Sequence, residues 1–468
     1  MSVSKKSRSA RFLFALWASK FARFAIRMTG RLGSCTPGVL AIKLCPDFLA
    51  RVGLPPKVIC VTGTNGKTTT SNLLTSAFRQ AGFTVTNNSA GSNIDAGVAT
   101  ALLADCTLSG KAKTQIAVLE VDERSAIRVY SHLTPDILIC NNIMRDSLIL
   151  NAHTDFICYV LNKPMPQSVK VILNADDLIC SRLFPENKER IYFGMEADVP
   201  STGAGPLAAR DLVYCPECGE RLCAEYLRFE HIGRVRCPAC GLASPVPDYA
   251  VTAVDREKRE LTLRTPKGEM RVRMVNDNPV NLYNCAGAVA VLCEAGIDPE
   301  KVPSLFESLK IVSSRYDFRK SGRLNITNQL AKGQNPVACA RAFSYVASRP
   351  GTDKCLLIMV DDKGDNTNNS ESVCWIYDTD YSALRDPSIA RIIFAGKRCR
   401  DQLLRALTAG VDPSKIITED DLFDGASHVD TSKYTEIYVI NDPYISAEAS
   451  QIVDRLVQAG REEERNEQ

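Results

Sequence analysis

The segment Val58-Ile-Cys-Val-Thr-Gly-Thr-Asn-Gly-Lys-Thr-Thr-Thr70 contains the residue types that bind phosphate. Its β-branched apolar run predicts a buried strand, and the glycine turn that follows leads into a helical pattern. Backbone N–H groups of such a turn and of a helix N-terminus face an anion. Lys67 can reach the terminal phosphates of ATP, and the Thr68 hydroxyl can hold Mg²⁺. The predicted ATP-binding residues of this loop are Gly63, Thr64, Asn65, Gly66, Lys67, Thr68 and Thr69.

The loop departs from the common P-loop consensus. That consensus has a glycine five residues before Gly66, where this chain has Val61. The alternative is an ordinary glycine turn between a strand and a helix, but Gly66-Lys67-Thr68 at this junction favours phosphate binding.

Acidic and amide residues follow the next two predicted strands. Glu120 comes at the end of Gln115–Val121, where an ATP-bound Mg²⁺ needs a hard oxygen ligand. For Asp122 and Glu123, solvated charges at the strand end are the alternative interpretation. Asn142 lies near the end of the strand Ile137–Ile143 and Asp146 follows it, in a segment for which a plain polar loop is one interpretation.

Four cysteines form a second pattern. Cys215-Pro-Glu-Cys218 and Cys237-Pro-Ala-Cys240 are separated by eighteen residues, and Gly219 and Gly241 follow the two pairs. Two such knuckles can supply four thiolates to one tetrahedral zinc ion, with no open coordination position. We therefore predict a structural zinc ribbon rather than disulfides or a redox pair.

Composition indicates a soluble globular chain of two or three domains. The 468 residues are 45% hydrophobic and 24% charged, and the net charge of +3 argues neither for nor against a nucleic-acid partner. Eighteen cysteines, mostly single, suit a reducing cytoplasm. At the N-terminus, Leu13, Trp17, Phe21 and Phe24 recur at helical spacing among basic residues. This pattern predicts a basic amphipathic helix, packed on the protein or lying on an anionic membrane face, rather than a cleaved signal.

Strands and helices alternate along most of the chain, which predicts an α/β fold with parallel sheets. We expect an N-terminal segment at 1–50, a central ATP-binding domain at 51–315 and a C-terminal α/β domain at 316–468. An insert at about 200–275 would hold the ribbon, at about 205–250, and a β-rich piece, Glu260–Met274. The predicted strands of the two larger domains are Val58–Val61, Gln115–Val121, Ile137–Ile143, Val169–Asn174, Arg190–Phe193, Cys355–Val360, Arg391–Phe394 and Glu436–Ile440.

These motifs, in this order, resemble the Mur ligases, and within them the MurT subgroup. The resemblance rests on Gly63-Thr-Asn-Gly-Lys-Thr68, on the four-cysteine ribbon and on Trp375-Ile-Tyr-Asp378. It also includes the N-terminal Gly30-Arg-Leu-Gly-Ser-Cys-Thr-Pro-Gly38 and covers nearly the whole chain. The C-terminal match is looser, because Gly333-Gln334 interrupts a Leu-Ala-Lys-Asn-Pro motif.

The resemblance implies a carbon–nitrogen ligase of peptidoglycan synthesis. It implies that the α-carboxylate of D-glutamate in the lipid II stem peptide is phosphorylated by ATP and then amidated to D-isoglutamine. Ammonia would come from glutamine through a class I glutaminase of the GatD type, in a heterodimer with this chain. It also implies that Glu120 binds Mg²⁺ and that Asn142 and Asp146 lie near the metal and substrate. It implies further that Asn281 and Asn284 contact adenine, that Arg315 clamps phosphate, and that Asp378 completes the partner's catalytic Cys–His pair.

Two other functions stay open from the sequence. One is a stand-alone Mur-type ligase that adds an amino acid, similar to folylpolyglutamate or cyanophycin synthetases. The other is a zinc-ribbon adaptor that binds ATP without ligase chemistry. The four histidines do not form a glutaminase motif, which agrees with an external source of ammonia.

Overall fold

The computed structural model describes residues 7–30, 33–89, 92–145, 153–196, 211–274, 278–307, 316–331, 335–362 and 373–466. Two predicted site residues, Asp146 and Arg315, lie outside these ranges. Described residues up to Glu307 form one compact unit, except Arg145 and His153, which group with the second unit from Tyr316 onward. The domain boundaries expected at residues 50 and 315 stay predictions.

The described helices, numbered in chain order, are α1 Ala10–Met28, α2 Thr36–Leu44, α3 Phe48–Arg51, α4 Lys67–Gln80, α5 Asp95–Ala104, α6 Ala126–Tyr130, α7 Thr154–Asn162, α8 Leu178–Ser181, α9 Pro279–Glu294, α10 Val302–Glu307, α11 Pro336–Ala347, α12 Cys374–Asp378, α13 Cys399–Thr408, α14 Leu422–Ser427 and α15 Ser446–Asn466. Short 3-10 helices lie at Glu123–Ser125, Pro299–Lys301, Ser382–Arg385, Pro413–Lys415 and Pro443–Ile445.

The described strands are β1 Lys57–Thr62, β2 Val85–Asn87, β3 Ile116–Glu120, β4 Ile137–Cys140, β5 Lys170–Asn174, β6 Arg190–Met195, β7 Cys223–Phe229, β8 Ile232–Arg236, β9 Tyr249–Asp255, β10 Glu260–Thr265, β11 Gly268–Arg273, β12 Tyr316–Ser321, β13 Leu324–Leu330, β14 Lys354–Met359, β15 Ile389–Ala395, β16 Ile416–Glu419 and β17 Glu436–Asn441.

The first unit is built on one twisted sheet. Its described strands lie in the order β11-β10-β9-β6-β5-β4-β1-β3-β2, and β2 to β6 pair with β1 and one another in parallel. From β1 the chain passes to β3 and β2 on one side and returns to β4 on the other. Such a reversal opens a crevice at the carboxyl ends of the strands, where α/β proteins bind ligands. The predicted phosphate loop follows β1 and therefore lies at this crevice.

The insert is smaller than the sequence predicts. Strands β10 and β11 pair with β9, and β9 pairs with β6, so the piece at 260–274 extends the main sheet. The prediction that this piece belongs to the insert was wrong, because alternation indicates a strand without indicating which sheet it joins. Within the described insert, β7 and β8 form a two-stranded hairpin of their own.

Helix α1 is present but packs through a face that the periodicity did not single out. Phe12, Leu16 and Ser19 are buried, and Phe12 and Leu16 share a core with β1 and α5. Helix α2 begins at Thr36, with Pro37 in its first turn. Within the described ranges, every helix is too short or too polar to span a lipid bilayer.

The second unit has its own sheet, with strands in the order β12-β13-β17-β14-β15-β16. A β12–β13 hairpin pairs antiparallel, and the other neighbours pair in parallel. Apolar cores lie on both faces, one with Trp375 and Phe394 and the other with Ile326 and Ile452. The predicted strands β14, β15 and β17 are confirmed, whereas β12, β13 and β16 were not predicted.

Candidate functional site

The loop after β1 has the backbone of a phosphate cradle. Gly63 and Gly66 have φ angles of +115° and +85°, which side-chain-bearing residues rarely adopt. A Cβ on Gly66 would lie 2.2 Å from Asn284 Oδ1, and one on Gly63 would lie 2.9 Å from Asn141 N. The loop therefore requires glycine at both positions, and helix α4 begins at Lys67 directly after it.

Asn142, at the end of β4, holds this loop in place. Its carbonyl accepts from the Thr64 N–H at 2.8 Å, and its Oδ1 accepts from the Asn65 N–H at 2.9 Å. Its Nδ2 donates back to the Asn65 carbonyl at 3.1 Å. The predicted contact of Asn142 with metal or substrate stays a prediction, and the structure gives this residue a role in supporting the loop.

Lys67 is buried and lies against the loop that it would serve. Its Nζ donates to the Gly63 carbonyl at 2.5 Å and lies 3.2 Å from both carboxylate oxygens of Glu123. Glu123 is 1% exposed, so its interpretation as a solvated charge was wrong. The sequence signal was present, since Glu123 follows a strand end beside the loop, but spacing alone did not distinguish it from Asp122.

The Lys67–Glu123 pair gives a first prediction. Because Glu123 balances a buried ammonium and fixes its position, we expect Glu123→Gln to lower ATP turnover about 10–10²-fold. Steady-state ADP release would measure the change, with the exposed Glu186→Gln as the matched control. Unchanged turnover in Glu123→Gln would show that Lys67 needs no carboxylate to position it.

Glu120 lies beside the loop through the strand register. It pairs with Val61 across β1 and β3, two residues before Gly63. Its carboxylate is 8% exposed and accepts from Asn93 Nδ2 at 3.2 Å. Asn88 fixes the backbone of Glu120 through two hydrogen bonds of 2.8 Å. A carboxylate here and the exposed Thr68 hydroxyl are the hard oxygen donors that Mg²⁺ prefers.

The two amides on α9 differ in position. Asn284 is 1% exposed and packs beneath Gly66, with its Nδ2 donating to Asn281 Oδ1 at 3.0 Å. Asn281 is half-buried, and the helix cap is Asn278, whose side chain accepts from the Val280 N–H. The adenine contact predicted for this pair stays a proposal, and Asn281 is the more exposed of the two.

The four predicted zinc ligands converge. The Sγ atoms of Cys215, Cys218, Cys237 and Cys240 all lie within 4.8 Å of one another. Sulfur atoms about 3.8 Å apart are what a tetrahedral zinc with Zn–S bonds of about 2.3 Å requires. The Cys215–Cys240 and Cys218–Cys237 sulfur pairs lie 3.5 and 3.4 Å apart, and the backbone N–H of Cys240 lowers the pKa of Cys237 to about 6. The cluster could hold a metal ion.

The ribbon hairpin reaches the strand ends that support the phosphate loop. His231, in the β7–β8 turn, is buried with Nε2 3.2 Å from Asp177 Oδ1. The other oxygen of Asp177 accepts from the Ile143 N–H at 2.7 Å, next to Asn142. A continuous chain of contacts therefore joins the ribbon to the phosphate loop. Burial lowers the pKa of His231, but the carboxylates of Asp177, Asp211 and Glu230 together outweigh it and hold this pKa above its ordinary value.

This contact predicts a pH-dependent effect. A histidine whose pKa is raised on folding stabilises the protein fully below the unfolded pKa of about 6.5, and the contribution is lost as pH rises through the folded value. Asp177, Asp211 and Glu230 are the acidic groups acting on His231. We expect His231→Gln to lower the melting temperature more at about pH 6 than at about pH 9, with His132→Gln as control. A pH-independent difference would contradict the pair.

Asp378 ends α12 in the second unit. Its side chain is 37% exposed, and Oδ2 accepts from Arg145, which groups with the same unit, at 3.3 Å. The preceding Trp375 is buried in the apolar core and anchors the short helix. Asp378 is therefore a partly exposed, ion-paired carboxylate on an anchored helix end.

The comparisons with known proteins agree with this geometry. A family model described as the Mur ligase middle domain matches residues 61–203, and one described as the MurT ligase C-terminal domain matches residues 332–444. The chain therefore matches the Mur ligases in its middle part and the MurT ligases in its C-terminal part. Both the subgroup resemblance and the fold class predicted from the sequence are therefore confirmed.

One curated relative is similar along most of the chain, and two solved structures share its fold. The lipid II isoglutaminyl synthase (glutamine-hydrolyzing) subunit MurT of Staphylococcus aureus strain COL is 29% identical over 87% of this chain and 90% of its own length. A pseudomurein peptide ligase type C from Methanothermus fervidus superposes with a TM-score of 0.63 at 19% identity, covering 88% of this chain and 81% of that one. MurF from Thermotoga maritima, solved with ADP, has a TM-score of 0.56 at 14% identity, covering 92% and 85%.

Proposed function

We propose that this chain is the synthetase subunit that amidates the D-glutamate α-carboxylate of the lipid II stem peptide to D-isoglutamine. The observation that carries the proposal is the buried Lys67 at a Mur-type phosphate loop, in a chain whose C-terminal part matches the MurT domain. The S. aureus relative is named as a subunit of a glutamine-hydrolysing lipid II isoglutaminyl synthase, and we transfer that activity here as a proposal.

The chemistry needs activation because a carboxylate does not react with ammonia. In the proposed first step, a carboxylate oxygen attacks the γ-phosphorus of ATP, the bond to the β-phosphate oxygen breaks and ADP leaves. Lys67, the loop N–H groups and the N-terminus of α4 would stabilise the charge on the transferred phosphoryl group. Arg315 is proposed to clamp the same group, by resemblance.

In the second step, ammonia attacks the carbonyl carbon of the acyl phosphate. A C–N bond forms, the C–O bond to phosphate breaks, and inorganic phosphate leaves with an oxygen of the original carboxylate. The nitrogen gives up one proton. Charge again moves onto the phosphate, so the same cationic loop stabilises the departure of the leaving group.

Metal ions are assigned to two separate places. We propose that Glu120 and the Thr68 hydroxyl hold a Mg²⁺ that neutralises phosphate charge when ATP binds. The four cysteines would hold a structural Zn²⁺, since four sulfur ligands leave no position for substrate. The ion in the ribbon would then contribute to stability and to docking of the hairpin, without chemical participation.

The amidation proposal is tested by the nucleophile that the enzyme accepts. Purified chain would be incubated with ATP, Mg²⁺, lipid II and either ammonium or a mixture of amino acids, with mass spectrometry of the product. We expect ATP-dependent conversion of one carboxyl to an amide with ammonium. Addition of an amino acid would establish the stand-alone ligase, and nucleotide binding without turnover, with or without a glutaminase, would establish the adaptor.

We further propose that a class I glutaminase of the GatD type binds the second unit and that Asp378 orients its catalytic histidine. The partial exposure of Asp378 and the anchoring of its helix by Trp375 support this. The carboxylate would act as the third member of a triad formed across two chains.

The proposed role of Asp378 is tested by comparing glutamine with ammonium as the nitrogen source. We expect Asp378→Asn to lower glutamine-dependent amidation by about 10²–10⁴-fold in the complex, because the partner's imidazole loses its orienting carboxylate. Ammonium-dependent amidation should stay unchanged. The exposed Asp353→Asn serves as control. An equal loss with both nitrogen sources would contradict the assignment and place Asp378 in the synthetase reaction.

A lipid-linked substrate also implies where in the cell the enzyme acts. We propose that the chain acts in the cytoplasm, at the inner face of the membrane, where the stem peptide of lipid II is accessible to ATP.

A further inference from the structure

Helix α1 presents an apolar stripe to solvent on the face opposite its packed one. The side chains of Phe14, Trp17, Phe21, Phe24 and Met28 are 62%, 52%, 72%, 62% and 73% exposed. They recur every three or four residues and therefore lie on one side of the helix. The buried Phe12, Leu16 and Ser19 lie on the other side, so the exposed rings of the stripe are not part of the packed core.

The stripe is continuous with a neighbouring loop and is held firmly. The Trp17 indole N–H donates to the Leu108 carbonyl at 2.8 Å, and the Leu108 side chain is 68% exposed. Lys20 Nζ donates to the carbonyls of Leu103 and Cys106 at 2.5 and 2.8 Å, which fastens α1 to the end of α5. An exposed apolar surface on a fixed element marks a binding surface more often than a packing fault.

The charge of the N-terminal segment indicates what binds to the α1 stripe. The first 46 residues contain nine basic side chains, and the first acidic one is Asp47; the basic residues are Lys5, Lys6, Arg8, Arg11, Lys20, Arg23, Arg27, Arg31 and Lys43. Arg27 is exposed at the edge of the stripe, whereas Arg23, seven residues after Leu16, is half-buried toward the packed side of α1. Aromatic side chains flanked by cations are the surface that an anionic bilayer binds, since rings enter the interface while basic groups meet lipid headgroups.

We propose that the α1 stripe docks this chain on anionic phospholipid, with α1 lying in the plane of the membrane interface. The inference rests on the proposed function to the extent that a lipid-linked substrate gives docking a purpose. It goes further by assigning the surface and the lipid chemistry. The crevice at β1 would then bind the stem peptide of lipid II while α1 holds the enzyme on the same bilayer.

Vesicle co-sedimentation of the full chain tests the proposal. We expect binding to vesicles of phosphatidylglycerol and phosphatidylcholine, and weak binding to phosphatidylcholine alone. Phe21→Ser with Phe24→Ser should lower the partition coefficient at least about tenfold, through loss of two interfacial rings. Arg27→Gln should lower binding to the anionic vesicles only, by roughly fivefold for the one charge. Phe318→Ser, which changes a phenylalanine 62% exposed on β12, should have no effect.

Activity measurements distinguish the role of the α1 stripe in docking from the amidation reaction. In detergent-solubilised lipid II, the Phe21/Phe24 variant should amidate with ammonium at the wild-type rate, whereas its rate on vesicle-embedded lipid II should fall. Equal sedimentation of variant and wild type would overturn the docking surface and leave the amidation proposal standing. Conversion of a dimer to a monomer, or loss of a co-purified glutaminase, by the Phe21/Phe24 variant would assign the stripe to a protein contact and also overturn it.

Discussion

Replacement of Lys67 by alanine should lower ATP-dependent turnover by at least about 10²–10³-fold. It should leave the metal content of the ribbon unchanged. The ammonium group is the one cation that the described loop residues place against the Gly63 carbonyl, at the start of the phosphate cradle. Removing it takes away charge stabilisation in both the phosphorylation and the amidation step. ADP release and elemental analysis of the same preparation would measure the two quantities.

The control for this variant is Lys188→Ala, which removes an exposed lysine of the same unit. It should retain turnover and metal. Loss of the ribbon metal in Lys67→Ala would show that the loop and the ribbon are one folding unit. Retention of turnover would remove Lys67 from the chemistry and with it the main support for the proposed mechanism.

Cys237→Ser should have the largest effect on stability. The four sulfur atoms lie within 4.8 Å of one another, and structural zinc sites in small domains contribute apparent free energies of about 10–16 kcal/mol to folding. We expect the variant to lose bound zinc and the ribbon to become sensitive to proteolysis. Because His231 joins the hairpin to Asp177, the KM for ATP should also rise several-fold.

Cys223→Ser is a matched control, since Cys223 is an exposed thiol at the start of β7 that lies outside the cluster. It should keep zinc and protease resistance. Full zinc content in Cys237→Ser would exclude a four-cysteine site. A zinc-free variant with the wild-type KM for ATP would contradict the connection between ribbon and loop, while the zinc site itself would stand.

The phosphate loop was predictable from sequence because its determinants are local. Gly63, Gly66 and Lys67 act through backbone conformation and a helix start, and both depend on neighbours in the chain. The cysteine cluster was predictable for the same reason, since each knuckle is a four-residue unit. Strands such as β1 and β14 are continuous apolar runs, which indicate burial on two faces.

Contacts between distant segments were not predictable. Glu123 resembles its neighbour Asp122 in sequence, and only the packing of the 3-10 turn at its position places it 3.2 Å from Lys67. His231 shows no signal in the chain, because its partner Asp177 lies 54 residues earlier. The packed face of α1 was missed since both faces of that helix are apolar, and only the core at Phe12 and Leu16 distinguishes them.

The acyl-phosphate mechanism is tested most directly by following one oxygen atom of the substrate carboxylate. Lipid II with heavy oxygen in the D-glutamate α-carboxylate would be converted by the chain with ATP, Mg²⁺ and ammonium, and the inorganic phosphate analysed by mass spectrometry. An acyl phosphate requires one labelled oxygen to leave in the phosphate for each amide formed. Labelled phosphate in equal amount to the amide is the result we predict. Amide formed with unlabelled phosphate, or labelled phosphate without amide, would contradict it.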